Sequence, residues 1–266
     1  MDLQLEGRRA LVTGGSRGIG LAIATALTAE GVDVALAARD RRRVEAAATR
    51  LAAASGRKVI ALTVETGDDA SVAAMVASAT DALGGIDILV NNAAAPGGQA
   101  APPKLAAITT DALWSEVNVK VMGYLRCARE VAPQMIERGW GRIINISGLA
   151  ARQTGSTIGS IRNVSVAALT ANLSDELSPH GINVTVVHPG LTRTEKTAGV
   201  LADRARAAGT DTTKVERRLA AGVAIARMVD ATEVADVVAF LASPRSVAIT
   251  GDAIAAGGGT RGAIHY

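Results

Sequence analysis

The stretch Leu11-Val12-Thr13-Gly14-Gly15-Ser16-Arg17-Gly18-Ile19-Gly20 decides how the rest of the chain is read. A β-branched, apolar run ends at Val12, glycines follow at positions 14, 18 and 20, and a helical pattern begins at once. The order is strand, tight turn, helix N-terminus. Without Cβ atoms the backbone can approach a ligand closely, and the free N–H groups of the first helical turn favour a phosphate. Such a motif carries weight only directly after a strand and before a helix, which is its setting here.

Outward from that turn the same alternation continues. Residues 8–13, 32–38, 58–64, 86–91, 142–146, 182–188 and 247–255 read as strands, all apolar. Residues 19–30, 44–55, 69–83, 110–138, 163–177 and 232–241 read as helices, with Pro133 as a kink or boundary in the fourth. Apolar strands alternating with helices predict an α/β protein with a doubly wound parallel sheet between two helical layers. The Gly/Pro/Ala segment at 96–103 is expected to edge a cleft. Residues 191–230 read as helical, charged and free of strands, and are expected to form a substrate lid. With no linker or repeat, a single domain spanning 1–266 is expected.

Composition excludes several functions. Apolar residues make up 48% of the chain and aromatics 2%, so Ala, Val, Ile and Leu must build the core. The net charge of +3 is spread along the chain, without the concentrated basic surface that nucleic acid needs. Cys127 is the only cysteine and the three histidines lack ligand spacing, so neither a disulfide framework nor a metal site is expected. Cys127 reads as a small buried hydrophobe or, alternatively, a reactive thiol. No apolar run reaches membrane-spanning length and the N-terminal residues lack a signal-peptide pattern, so the expected compartment is the cytoplasm.

With the glycine turn, Asn91-Asn92-Ala93-Ala94, Asn118, Ser147 and Pro189-Gly190 together, the chain resembles the classical short-chain dehydrogenase/reductase family over essentially its whole length. The resemblance implies a Rossmann fold. It also implies a nicotinamide cofactor held by Gly14, Ser16, Arg17, Gly18, Ile19 and Gly20. Glu65 would lie near the adenine, and Asn91 and Ala93 beside the cofactor at the end of the fourth strand. Asn163 would meet the ribose, and Pro189, Gly190, Thr192 and Thr194 would flank the nicotinamide. A homodimer or homotetramer follows from the same resemblance. Cofactor choice has a physical argument. The second strand ends Leu36-Ala37-Ala38-Arg39, with no carboxylate for the ribose hydroxyls, while Arg17 and Arg39 suit a 2′-phosphate. NADP(H) is therefore favoured over NAD(H); the alternative is that both arginines are ordinary surface residues.

The catalytic pattern departs from the family. Classical members carry a serine after the fifth strand, then tyrosine and lysine four residues apart. Counting back from Pro189-Gly190 places Gly159 at the tyrosine position and Asn163 at the lysine position, and the only tyrosines are Tyr124 and Tyr266. Candidate catalytic residues are Ser147 to orient substrate, Asn118 at the family's asparagine position, and His188 as acid or base. His188 packed under the Pro189 turn is the alternative. Arg152 and Arg162 flank the vacant segment as candidate anion binders or as solvent-facing charge. Lys120, two residues from Asn118, should point elsewhere, and Tyr266 reaches a cleft only across subunits. The leading expectation is a divergent oxidoreductase acting on a small carbonyl, alcohol or activated alkene. A lyase, isomerase or hydrolase in the same cleft, and a catalytically silent sensor or partner subunit, are the alternatives.

Overall fold

The computed structural model describes residues 1–95 and 102–262. Its centre is a seven-stranded parallel sheet of β1 (Arg9–Thr13), β2 (Asp33–Ala38), β3 (Val59–Thr63), β4 (Ile88–Asn91), β5 (Gly141–Ile146), β6 (Ile182–Pro189) and β9 (Ala253–Ala256). Their order is β3-β2-β1-β4-β5-β6-β9. Successive residues feed opposite faces: Ala10 and Val12 join one core while Leu11 joins the other, and Ile144 and Ile143 divide the same way. Central strands buried on both sides are mostly apolar, which is why they read as near-continuous runs, while the edge strand β3 is only part-buried. Helices α1 (Gly18–Ala29), α2 (Arg41–Ser55) and α9 (Ala231–Ala242) cover the first core. Helices α3 (Asp69–Leu83), α5 (Gly123–Arg138) and the end of α6 (Thr157–Leu177) cover the second. The expected three-layer doubly wound fold is the fold observed.

The strand order reverses between β1 and β4, so their carboxyl ends open a crevice at the switch point, where such sheets bind ligands. Local chemistry sets where the helices start. Asp40 accepts from the N–H of Arg43, Asp68 from Ser71, and Asp230 with Glu233 forms a reciprocal box at the start of α9. Ser156 accepts from Gly159 N–H and starts α6 at Thr157, well before the expected residue 163.

Three further expectations are corrected. The last strand is Ala253–Ala256 and not 247–255, because Pro244–Ser246 forms a 3₁₀ turn and Val247 is 65% exposed. The stretch 191–230 holds α7 (Thr197–Ala207) and α8 (Thr212–Ala220), but it is not free of strands: β7 (Thr192–Arg193) pairs in parallel with β8 (Val229–Asp230). The long helix at 110–138 is not uniform. It runs as α4 (Thr110–Glu116), a π-helical segment (Val117–Met122) and α5, with Pro133 carried inside α5. Most of the 96–103 loop, together with His265 and Tyr266, lies outside the described residues. No helix among them is long and apolar enough to cross a membrane.

Candidate active site

The glycine turn is fixed by main-chain contacts. Gly14 has φ 64°, a conformation that favours glycine, and Gly15 N–H donates to Ala37 O at 3.2 Å, tying the turn to the end of β2. A Cβ on Gly20 would collide with Gly14 O and lie 2.5 Å from Asn92 Nδ2. Asn92, within the Asn91–Ala94 stretch expected beside the cofactor, holds this approach by donating to Thr13 O and Gly14 O, both at 3.1 Å. Thr13 Oγ1 in turn receives the N–H groups of Asn92 and Ala93.

This cradle suits a dinucleotide. Gly18 N–H, at the start of α1, is already answered by an anion, the Glu195 carboxylate at 3.1 Å. A helix N-terminus that holds a carboxylate will hold a phosphate by the same dipole and donors. Thr194 packs beside Gly18, and Thr192 Oγ1 donates to Gly190 O, so the segment after β6 folds over the turn. Among the described residues the guanidinium groups of Arg17 and the exposed Arg39 take no carboxylate partner, and both sit two residues beyond the Gly15–Ala37 tie. Glu65 is exposed, its carboxylate accepting weakly from Gly67 N–H at 3.4 Å. The Asn91 side chain turns away into the core, donating to Asn145 Oδ1 at 2.9 Å and Tyr124 O at 3.3 Å. Asn91 is fully buried, and among the described residues its Oδ1 has no hydrogen-bond partner.

Ser147 follows β5 and is half-buried. Its hydroxyl donates to Asn163 O at 3.1 Å, which brings the end of β5 against the second turn of α6. Asn163 is buried, and its Oδ1 accepts from Lys120 Nζ at 2.8 Å; the same amine donates to Ser147 O at 3.0 Å. Lys120 is only 3% exposed, and burial, with Arg162 adding to it, pushes its amine down to about 7 against the partial relief of Glu116. Arg162 is tied to Glu116 and donates to Ala95 O at 3.4 Å, and Arg152 donates to Ala253 O at 2.8 Å.

Two of the three expected catalytic residues are placed differently. Asn118 donates its amide to Gly67 O at 3.1 Å, on the α3 side, and not toward Ser147. Residues 118 and 120 diverge as their spacing predicts, but it is Lys120, not Asn118, that meets Ser147 and Asn163. The sequence did carry a signal, since Lys120, Tyr124, Cys127, Val131 and Met135 form one buried helical stripe. His188 is 1% exposed, and its Nδ1 accepts from Gly148 N–H at 3.4 Å. Burial, then Arg152 and Lys120, push it down to about 4. Buried and accepting from Gly148 N–H, it matches the alternative reading of a histidine packed at the end of β6.

Tyr124 is fully buried, donates to Ile146 O at 2.8 Å, and is pushed further from titration by desolvation. Burial also pushes the Cys127 thiol up to about 12, which makes it the small inert hydrophobe and not a nucleophile. No cluster of metal-ligating side chains occurs among the described residues.

Residues 8–205 match the family model described as short chain dehydrogenase. The short-chain reductase protein NovJ of Streptomyces niveus is 34% identical over 253 residues, covering 94% of this chain and 92% of its own. The 3-oxoacyl-(acyl-carrier-protein) reductase of Aquifex aeolicus is 30% identical and covers 97% of this chain and 99% of its own. The structure of L-sorbose reductase from Gluconobacter frateurii, complexed with NADPH and L-sorbose, superposes with a TM-score of 0.93 at 29% identity, covering 99% of this chain and 100% of that one.

Proposed function

This chain belongs to the short chain dehydrogenase family, and from that premise we propose that it is an NADP(H)-dependent oxidoreductase reducing a small, moderately apolar carbonyl compound. The observation that carries the cofactor reading is the end of β2. No carboxylate stands there for ribose hydroxyls, while Arg17 and Arg39 remain uncommitted on either side of the Gly15–Ala37 tie. Gly14, Gly18 and Gly20 would hold the pyrophosphate, with Glu195 giving way. Gly190, Thr192 and Thr194 would border the nicotinamide. A reduced nicotinamide bound there supplies the hydride.

The chain's own residues do the rest. Ser147, at the carboxyl end of β5, would orient the carbonyl oxygen. The α7–α8 excursion, with its small core of Leu201, Ala205 and Val215, would cover the substrate and exclude water. Exposed apolar side chains on the outer helices, Trp114 at 63%, Ile161 at 43% and Val164 at 50%, support a homodimer or homotetramer, which light scattering on the eluted protein would count.

The test is a fluorescence titration with NADPH and NADH, followed by a panel of ketones, aldehydes and enones with loss of the reduced-nicotinamide absorbance as readout. Tight NADPH binding, weaker NADH binding and oxidation by a carbonyl are expected. NADPH binding with no oxidation by any panel member would overturn the redox reading; no binding of either nucleotide would overturn the cradle as well.

A further inference from the structure

The first turns of α6, Thr157 to Asn163, hold one ionisable side chain, Arg162, and it is committed to Glu116. The group that enters this space from elsewhere is the Lys120 amine, delivered by the π-helical segment on the opposite wall. We infer that Lys120 is the acid–base residue of the cleft, donating a proton from Nζ to the substrate's carbonyl oxygen beside Ser147. This rests on the redox reading above and names the group that moves the proton within it.

The stereochemistry of Nζ supports it. Two positions are bound to protein, as donors to Ser147 O at 3.0 Å and Asn163 Oδ1 at 2.8 Å. Both bonds survive in the ammonium and in the neutral amine, because either form has at least two N–H groups. The remaining position is an N–H when charged and a lone pair when neutral. A proton can therefore leave and return there without disturbing the anchor.

The surroundings fit a titrating group. From α4, Glu116 favours the charge; from α6, Arg162 opposes it; from α5, the Tyr124 ring lies 6.0 Å away with its hydroxyl already committed. From β6, His188 is held neutral and competes for no proton. Among the described residues no carboxylate touches the amine. A buried ammonium without one costs stability, and an apolar side chain of that length would pack there more cheaply. An amine kept in such a place is explained by use.

The step balances. The carbonyl carbon accepts the hydride that the reduced nicotinamide supplies, the C=O π pair moves onto oxygen, the Lys120 N–H bond breaks, and the O–H bond forms. The carbonyl is reduced to an alcohol, the nicotinamide is oxidised, and the neutral amine regains its proton from water.

Three measurements on the full chain test this: NMR titration of lysines labelled at the ε-carbon, NADPH affinity, and the pH dependence of kcat/KM for Lys120→Arg and Lys120→Met. The wild-type Lys120 signal, identified by its loss in Lys120→Arg, should titrate near 7, well below the ordinary lysine value of 10.5. Both variants should bind NADPH yet lose about 100-fold or more in kcat/KM, together with the limb near neutral pH. Lys120→Arg retains charge and length, so it separates proton transfer from folding. A Lys120 signal at the ordinary lysine value, or a Lys120→Arg enzyme with wild-type rate and pH profile, would overturn the inference alone. A wild-type enzyme that reduces nothing would overturn the redox reading and the inference together.

Discussion

The glycine turn at residues 14–20 and the cluster of Ser147, Asn163 and Lys120 lie along the same carboxyl edge of the sheet, yet they are made of different material. The turn is main chain: N–H groups, carbonyls and the absence of Cβ atoms, stapled by one asparagine. The cluster is side chain, drawn from the loop after β5, from α6 and from the π segment. Main-chain geometry tolerates almost no substitution, whereas a side-chain charge can come from any wall within reach. The first kind of site stays put in the sequence, and the second can migrate.

Breaking the main-chain half should have the largest effect. In Gly20→Ala the new methyl meets Gly14 O and Asn92 Nδ2, and overpacking of this kind costs about 1–3 kcal/mol. A depressed melting temperature and loss of NADPH binding are expected. Unchanged binding would show that the turn has slack.

The side-chain half should instead reveal itself through pH. Below about 7 the folded protein carries the Lys120 charge in a buried place. Between there and the ordinary lysine value of 10.5, the unfolded chain holds a proton that the folded chain lacks, so stability rises with pH. Lys120→Met has no such slope. Its melting temperature should exceed that of the wild type most at pH 6 and converge with it toward pH 10; a constant offset would mean that the amine does not titrate.

Arg39→Ala comes next in size. It should weaken NADPH about tenfold, the scale of one charge-assisted contact, and leave NADH nearly unchanged. Equal losses for both nucleotides would remove the 2′-phosphate argument. The smallest effect is expected from Glu195→Gln. Removing the carboxylate that occupies Gly18 N–H should tighten NADPH by a few-fold, within the ~1 kcal/mol typical of a charge at a helix end. Weaker binding would instead mean that Glu195 contacts the cofactor.

The same contrast explains what could be read from the sequence. β1, β2 and β4 are legible because burial on both faces forces nearly continuous apolar runs. The last strand was misplaced because Val247, Ala248 and Ile249 imitate one, although their backbone follows a 3₁₀ turn capped by Ser243. The start of α6 was missed because Gly159 and Ser160 look like loop, and only the Ser156 cap shows otherwise. Ser147 and Asn163, read from the sequence as a substrate-orienting residue and a ribose contact, lie in hydrogen-bond contact. The two-residue offset from Asn118 predicts a Lys120 that points elsewhere, and the buried stripe it shares with Tyr124 and Cys127 carries its amine to Ser147 and Asn163.

The short pairing of β7 with β8 has a consequence for how such a protein can change. Thr192 and Arg193 lie against Val229 and Asp230, with Arg193 also ion-paired to Asp230 and Glu216, so the excursion between them is closed at its neck. Its length is thereby uncoupled from the geometry of the sheet. Lengthening a closed loop costs free energy only logarithmically, and the strands beneath do not register the change. Selection can rewrite α7 and α8 as a cartridge, leaving the sheet and the glycine turn beneath them untouched.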